Sequence, residues 1–312
     1  MTTDVPVVNK EDTISFVEKR LLRDIKEIES INYIYVVDKY NILEGVLSIK
    51  ELFRQDKNKK VALVMNKNIV VSHPSSSQEK TAYLALENNI KSIPIVNKKK
   101  EFLGVVLSDD ILRVIHSESQ EDISHFAGIE NNGANIDNIG SMSLFVSLKH
   151  RLPWLIIGIF GGILAAKIIG LFEYTLAENI ILASFIPLVV YLASAVSTQA
   201  GFFIVRDLAI KKKINFLAYC WRQFRVILSL GFLLSILIFA FSYLFYNNLT
   251  ISLVLAISIL VTIISAIITG IFIPYAFSKL RFDPANASGP IATILQDIIS
   301  VSLYLFIAKT LL

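Results

Sequence analysis

The stretch "GPIATILQDIISVSLYLFIAKTLL", Gly289 to Leu312, decides the class of this chain. Up to Ala308 its one charged residue is Asp297. An apolar run of about 20 residues is long enough to cross the hydrocarbon core of a bilayer as a helix. A carboxylate at mid-membrane depth costs about 3 kcal/mol or more, and such residues are usually retained for function. The segment therefore reads as a spanning helix carrying a functional acid. A protonated acid hydrogen-bonded inside the bundle is the alternative.

Four similar runs precede it, at 152–174, 179–205, 224–246 and 251–277, the last broken near Gly270 and Pro274. The connections alternate in charge. Residues 206–225 hold Arg206, Lys211, Lys212, Lys213, Arg222 and Arg225, the 279–283 connection holds Lys279 and Arg281, and the entry to the first run holds Lys149 and Arg151. The turns at 175–179 and 247–250 hold no Lys or Arg. Basic residues concentrate in short cytoplasmic loops. Five spans then place the N-terminal region in the cytoplasm and the C-terminus outside, in a multi-pass protein of the inner or plasma membrane in contact with lipid. Topology accounts for the basic loop, and no nucleic-acid partner is expected. Lys167 lies 16 residues after Arg151, about 24 Å along a helix. It is expected to snorkel to the outer surface, with a pore role as the alternative.

Composition divides the chain at the same place. Residues 1–149 carry 19 Lys/Arg against 21 Asp/Glu, and residues 150–312 carry 11 against 5. The first half is long enough to fold as a soluble domain. No charged segment followed by an apolar core opens the sequence, so no cleavable signal peptide is expected. The single Cys220 excludes an intrachain disulfide and a cysteine-based metal cluster. His73, His116, His125 and His150 lack metal-ligand spacing and read as surface or packing residues.

The soluble half contains a repeat. "YIYVVDKYNILEGVLSIKELF" (33–53) matches "SIPIVNKKKEFLGVVLSDDIL" (92–112) at an offset of 59 residues, with Gly45 on Gly104 and Glu51 on Asp110. Each copy reads as strand, turn, strand, helix, preceded by an amphipathic stretch at about 11–28 or 77–89. A period of this size implies two copies of one supersecondary unit packed together.

That duplication resembles a tandem pair of CBS domains over roughly residues 5–116. Many CBS pairs bind adenosine nucleotides through a hydroxyl and an Asp after the glycine. The corresponding positions are Ser48 with Glu51, and Leu107 with Asp110. Neither copy has both groups, so helix capping competes with ATP binding as the role of Ser48 and Asp110.

A CBS pair, a linker and five spans in that order resemble the MgtE family of magnesium channels. "EDISHFAGIE" (121–130) is similar to its linker, "FIPLVVYLASAVSTQAGFFIVRDLA" (185–209) to its second span, and "RFDPANASGPIATILQDIISVSLYLFIAKTLL" (281–312) to its last. The chain departs from the family at Ser194-Ala195, where Gly-Asn is usual, at Gly289, where Asn is usual, and at Lys167. These departures bear on ion preference and leave the architecture unchanged. The family's long helical domain ahead of the CBS pair has no counterpart in this sequence, and simpler gating is expected.

The resemblance implies an α-helical integral membrane domain of five spans with a cytosolic α/β tandem CBS domain. Its expected parts are a CBS region at 1–116 (repeats about 5–60 and 61–116), a connecting segment at 117–150 and a pore domain at 151–312. It also implies a homodimer in which paired Asp297 carboxylates form the metal site for a hydrated Mg2+ ion. Magnesium holds its waters tightly and prefers octahedral oxygen coordination. Thr293, one turn before Asp297, shares its face. Gly289, Ser194, Thr198 and Gln199 complete the expected pore set, with bundle packing as the alternative for Thr198 and Gln199. Glu173 and Glu178 stand at the outer mouth, either gathering cations or serving as plain interfacial residues. The acidic run Asp109, Asp110, Glu118, Glu121 and Asp122 is a candidate regulatory cation site, with a solvated helix face as the alternative.

Three functions compete: a cation channel closed by cytosolic cation, a proton- or sodium-coupled transporter, and a non-conducting nucleotide sensor. No enzyme is expected, because aspartyl chemistry needs two carboxylates sharing one site.

Overall fold

The computed structural model describes residues 1–129, 143–210 and 214–312, without the side chains of 210, 287 and 288. Residues 130–142 of the expected connecting segment, and Lys211, Lys212 and Lys213, lie outside the described residues. The chain forms two compact units, Met1–Ser119 and Gln120–Leu312.

In the first unit, β1 (Val7–Asn9) pairs parallel with β2 (Tyr33–Val37), which pairs antiparallel with β3 (Leu43–Ser48). A second hairpin joins β4 (Ser92–Val96) to β5 (Phe102–Leu107). The sequence repeat is also a register repeat. Tyr35 faces Val46 and Val36 faces Gly45, while Pro94 faces Val105 and Ile95 faces Gly104. Both hairpins carry an irregularity after the same step, at Val36/Val37 and Ile95/Val96.

The helices are α1 (Ile14–Asp24), α2 (Ile49–Arg54), α3 (Val61–Val64), α4 (Gln78–Glu87) and α5 (Ser108–Phe126), which runs past the unit's end. Thr13, Ser48 and Ser77 cap α1, α2 and α4, each accepting a backbone N–H three residues on. Such caps satisfy donors that the first helical turn leaves unpaired. Ile14, Val17, Ile34, Val36, Leu47 and Leu52 form a buried cluster in the first copy, and Ala82, Ala85, Ile93 and Ile111 one in the second. Tyr35 stacks on Phe102 and hydrogen-bonds Ser92 at 2.8 Å, so a residue of one copy anchors in the other.

The copies also exchange their leading segments. Asn66, in the leading segment of the second copy, bridges Val46 of the first; Thr2, in the leading segment of the first, bridges Val105 of the second. This exchange explains the matched glycines. A Cβ on Gly104 would lie 2.7 Å from the Thr2 carbonyl oxygen, and its φ of 149° disfavours side chains. At Gly45 the obstacle is the Met65 side chain.

The second unit is helical. Its five membrane-length helical segments are Leu144–Gly170, Ile180–Ala209, Phe216–Tyr246, Leu249–Lys279 and Pro284–Leu311. Helix α6 (Leu144–Gly170) starts before the apolar run and carries Pro153 within it. Hydropathy marks the lipid-facing stretch, whereas the Ser143 cap on Val146 N–H sets the helix start. A short α7 (Glu173–Glu178) precedes α8 (Ile180–Ile210) and α9 (Phe216–Tyr246). The fourth span comprises α10 (Leu249–Ile267), a π-helical turn at Ile268–Phe272 and α11 (Ile273–Lys279). The fifth comprises α12 (Pro284–Asn286), a π-helical turn at Ala287–Ile291 and α13 (Ala292–Leu311). Helix α10 is central, packing on α8, α9 and α13, and α6 packs on α13. Val254, Leu255, Ile259 and Ile263 of α10 are buried, whereas α6 buries none of its residues.

Candidate functional site

Asp297 lies on α13, half-buried. The hydroxyl of Ser194, on α8, donates to its carboxylate at 2.5 Å. Thr198, one turn further along α8, donates to the Ser194 carbonyl at 2.9 Å. Thr293 donates to the Gly289 carbonyl at 3.2 Å. Thr198, Gln199 and Thr293 are exposed on the surface of this chain although they sit within spanning helices. Asp297 and Ser194 are thus in direct contact; Thr198 and Gln199 lie on α8, Thr293 on α13, and Gly289 in the π-helical turn before α13.

Gly289 breaks the fifth span. Its ψ of −124° is non-helical, and a Cβ there would lie 2.5 Å from the His125 carbonyl oxygen. The glycine therefore permits a backbone approach that an asparagine would obstruct. Its carbonyl does not stand free for an ion. It accepts from the Ala292 N–H as well as from Thr293.

One polar cluster was not anticipated from the sequence. Gln296 is fully buried beside Asp297. Its Oε1 accepts from Thr269 at 2.5 Å, and its Nε2 donates to Ser300 at 2.9 Å and Ser265 at 3.0 Å. Thr269 in turn hydrogen-bonds Ser197 of α8 at 2.8 Å. The available signal was the spacing of Ser258, Thr262, Ser265 and Thr269, which places hydroxyls on one face of the fourth span.

His125 is a packing residue. It is 8% exposed, and its Nδ1 lies 2.8 Å from Asp283 Oδ2. This hydrogen bond holds the imidazole above its ordinary pKa, against the opposing effect of burial. Burial pushes the Asp283 carboxyl up, but the hydrogen bonds from His125 and the Ala285 N–H outweigh it and leave it below the usual carboxylate range. Asp283 thereby ties the end of α5 to the start of the fifth span.

The acidic run does not converge. Asp110 lies 3.5 Å from Arg113, Asp109 accepts from Ser108, Glu118 accepts from Gln78, and Glu121 lies 4.0 Å from His125. Among the described residues no three His, Cys, Asp or Glu side chains form a metal-holding group. Glu173 and Glu178 are exposed on α7, and Lys167 is exposed in the last turn of α6, where it can reach the membrane surface. Ser48 caps α2 by accepting the Glu51 N–H at 3.1 Å.

Comparisons with known proteins bear on both units. A family model described as a divalent cation transporter, MgtE, matches residues 186–307, and the CBS domain model matches 1–58 and 61–117. The chain is 33% identical to the magnesium transporter MgtE of Bacillus subtilis over 92% of its own length and 63% of that protein. It is 32% identical to the magnesium transporter MgtE of Enterococcus faecalis, over 99% of its length and 67% of the relative. The chain thus spans about two thirds of these relatives' length. The crystal structure of the cytosolic domain of the Mg2+ channel MgtE in complex with ATP shares 34% identity, covering 36% of this chain and 46% of that one, with a TM-score of 0.36. With a tandem CBS region followed by five membrane-length helices, and with these relatives aligned along nearly its whole length, the chain belongs to the MgtE family.

Proposed function

We propose that this protein is a homodimeric magnesium channel whose ion site is a pair of Asp297 carboxylates, one from each protomer. The observation that carries the reading is a polar face on an otherwise apolar surface. Asp297 and Ser194 are half-buried there, with Thr198, Gln199 and Thr293 exposed around them. Lipid tails cannot solvate such groups, so a water-filled path or a second copy must. Two carboxylates across a two-fold axis repel when unpaired, and a hydrated divalent cation between them relieves that repulsion. The oxygens on this face suit outer-sphere contact with the ion's own waters. The regulatory part of the proposal is gating by cytosolic Mg2+ at the acids of α5, which this conformation holds apart, so that cation binding favours a state in which they share an ion. In this topology the CBS unit is cytoplasmic and the C-terminus is outside.

The test is Mg2+ flux into liposomes containing the purified protein. Asp297→Asn is expected to abolish flux while preserving the dimer. Unchanged flux in that variant would overturn the site, and strict dependence on a proton gradient would replace the channel with a coupled transporter.

A further inference from the structure

We infer that Gln296 is a positioning residue that fixes the rotation of α13 and so aims Asp297 at the ion path. The inference rests on Asp297 being the ion site. Adjacent residues of a helix are about 100° apart. With Gln296 pointing into the bundle, Asp297 must lie on the flank that faces α8, where Ser194 meets it.

Gln296 is held in three directions. Thr269 of the π-helical turn donates to its Oε1, Ser265 of α10 accepts from its Nε2, and Ser300 accepts one turn along α13. The network extends to α8 through Ser197 and Thr269. The Ser265 hydroxyl is itself spent on the Thr262 carbonyl at 2.7 Å, which leaves its oxygen free to accept. The carboxamide thus uses both its donors and its acceptor; the Ser300 bond turns with α13, and a rotation of α13 breaks the bonds to Thr269 and Ser265.

The approach of the helices reinforces this arrangement. A Cβ on Gly270 would lie 2.5 Å from the Ser197 carbonyl oxygen, so the π-helical turn lies directly against α8. The α8 backbone that carries Ser194 and the α13 backbone that carries Asp297 are therefore located by the same network. A short π turn within a helix shifts the face presented by the residues after it, and such turns recur at functional sites.

Apolar packing alone constrains rotation poorly in lipid, because neighbouring faces of an apolar helix are nearly equivalent there. A buried carboxamide with two partners on the neighbouring span removes that equivalence. Groups that orient an ion ligand without touching the ion contribute to affinity and selectivity through geometry.

The test uses the full-length protein with Gln296→Met, which keeps the volume and removes the hydrogen bonds. The half-saturating Mg2+ concentration is expected to rise about tenfold, more than maximal flux falls, with a lower ratio of Mg2+ to Ca2+ flux. Gln296→Glu, which retains an acceptor for Thr269, is expected to restore part of that ratio. A readout independent of flux is thiol labelling of Asp297→Cys in a Cys220→Ser background. Adding Gln296→Met is expected to change the labelling rate severalfold. If Gln296→Met does not fold, Ser265→Ala, which removes the arm to α10, is tested in the same two assays. Unchanged selectivity together with an unchanged labelling rate overturns the inference, even where Asp297→Asn abolishes flux. A changed labelling rate with flux indifferent to Asp297→Asn overturns the ion-site reading and leaves the positioning role in place.

Discussion

Both units have aliphatic interiors, but the second also buries a chain of polar side chains that the first lacks. In Met1–Ser119 the interior is aliphatic, with a few hydroxyls such as Ser72, Thr81 and Ser92. In Gln120–Leu312 the interior includes Gln296 and a succession of hydroxyls (Ser252, Ser258, Thr262, Ser265, Thr269 and Ser300), while leucine, isoleucine and phenylalanine cover the outside. Water drives apolar groups inward in the first unit. Lipid offers no such drive, so packing and interhelical hydrogen bonds hold the second. Burial is thus not one quantity across this chain, and the same substitution is expected to act differently on either side of residue 120.

The largest expected effect breaks the first unit. Leu52 is fully exposed to neither water nor ligand, being completely buried, and Leu52→Ala is expected to destabilise it by about 2–5 kcal/mol through lost transfer and cavity terms. Leu255 in α10 is equally buried. Leu255→Ala is expected to cost less, because a leucine released into lipid loses packing but no hydrophobic transfer energy. Urea unfolding monitored in the CBS unit and steric trapping in bicelles measure the two. Equal losses would remove the distinction.

A smaller effect separates the two repeat copies. Gly104→Ala is expected to cost about 1–3 kcal/mol, because its φ and the Thr2 backbone both oppose a Cβ. Gly45→Ala meets only the flexible Met65 side chain and is expected to cost less in the same unfolding assay.

The smallest concerns pH. The His125–Asp283 pair raises one pKa and lowers the other. The histidine contribution is present below its unfolded value and is lost as pH rises through its raised folded value. The aspartate contribution is present above its unfolded value and is lost as pH falls through its lowered folded value. The pair therefore stabilises the second unit between the two folded values. Thermal unfolding of the parent against pH should show this plateau, and His125→Gln should remove its alkaline shoulder.

These contrasts also explain what could be read from the sequence. The duplication was legible because Gly45 and Gly104 answer to backbone proximity, which leaves a residue-type signature. The five spans were legible because lipid imposes length and composition. Asp297 stood out as a costly charge, but its contact with Ser194 was not legible; the resemblance placed both in one expected pore set without pairing them. Gln296 was not legible. Its meaning depends on hydroxyls 27 and 31 residues away that reach it only after the fourth and fifth spans pack. The π-helical turn of the fourth span was foreshadowed as a break near Gly270 and Pro274, but its register is set by tertiary contact. The start of α6 was hidden because its first turns are polar enough to fall outside an apolar window.

The exchange of leading segments has a consequence for how the CBS unit is assembled and dismantled. Since Asn66 completes the sheet of the first copy and Thr2 that of the second, neither copy is a finished module. Removal of one would expose an unpaired strand edge on the other, which is a template for pairing with a second chain. A single copy is therefore predisposed to find its missing strand in another molecule, and the tandem form can be viewed as that association made permanent within one polypeptide.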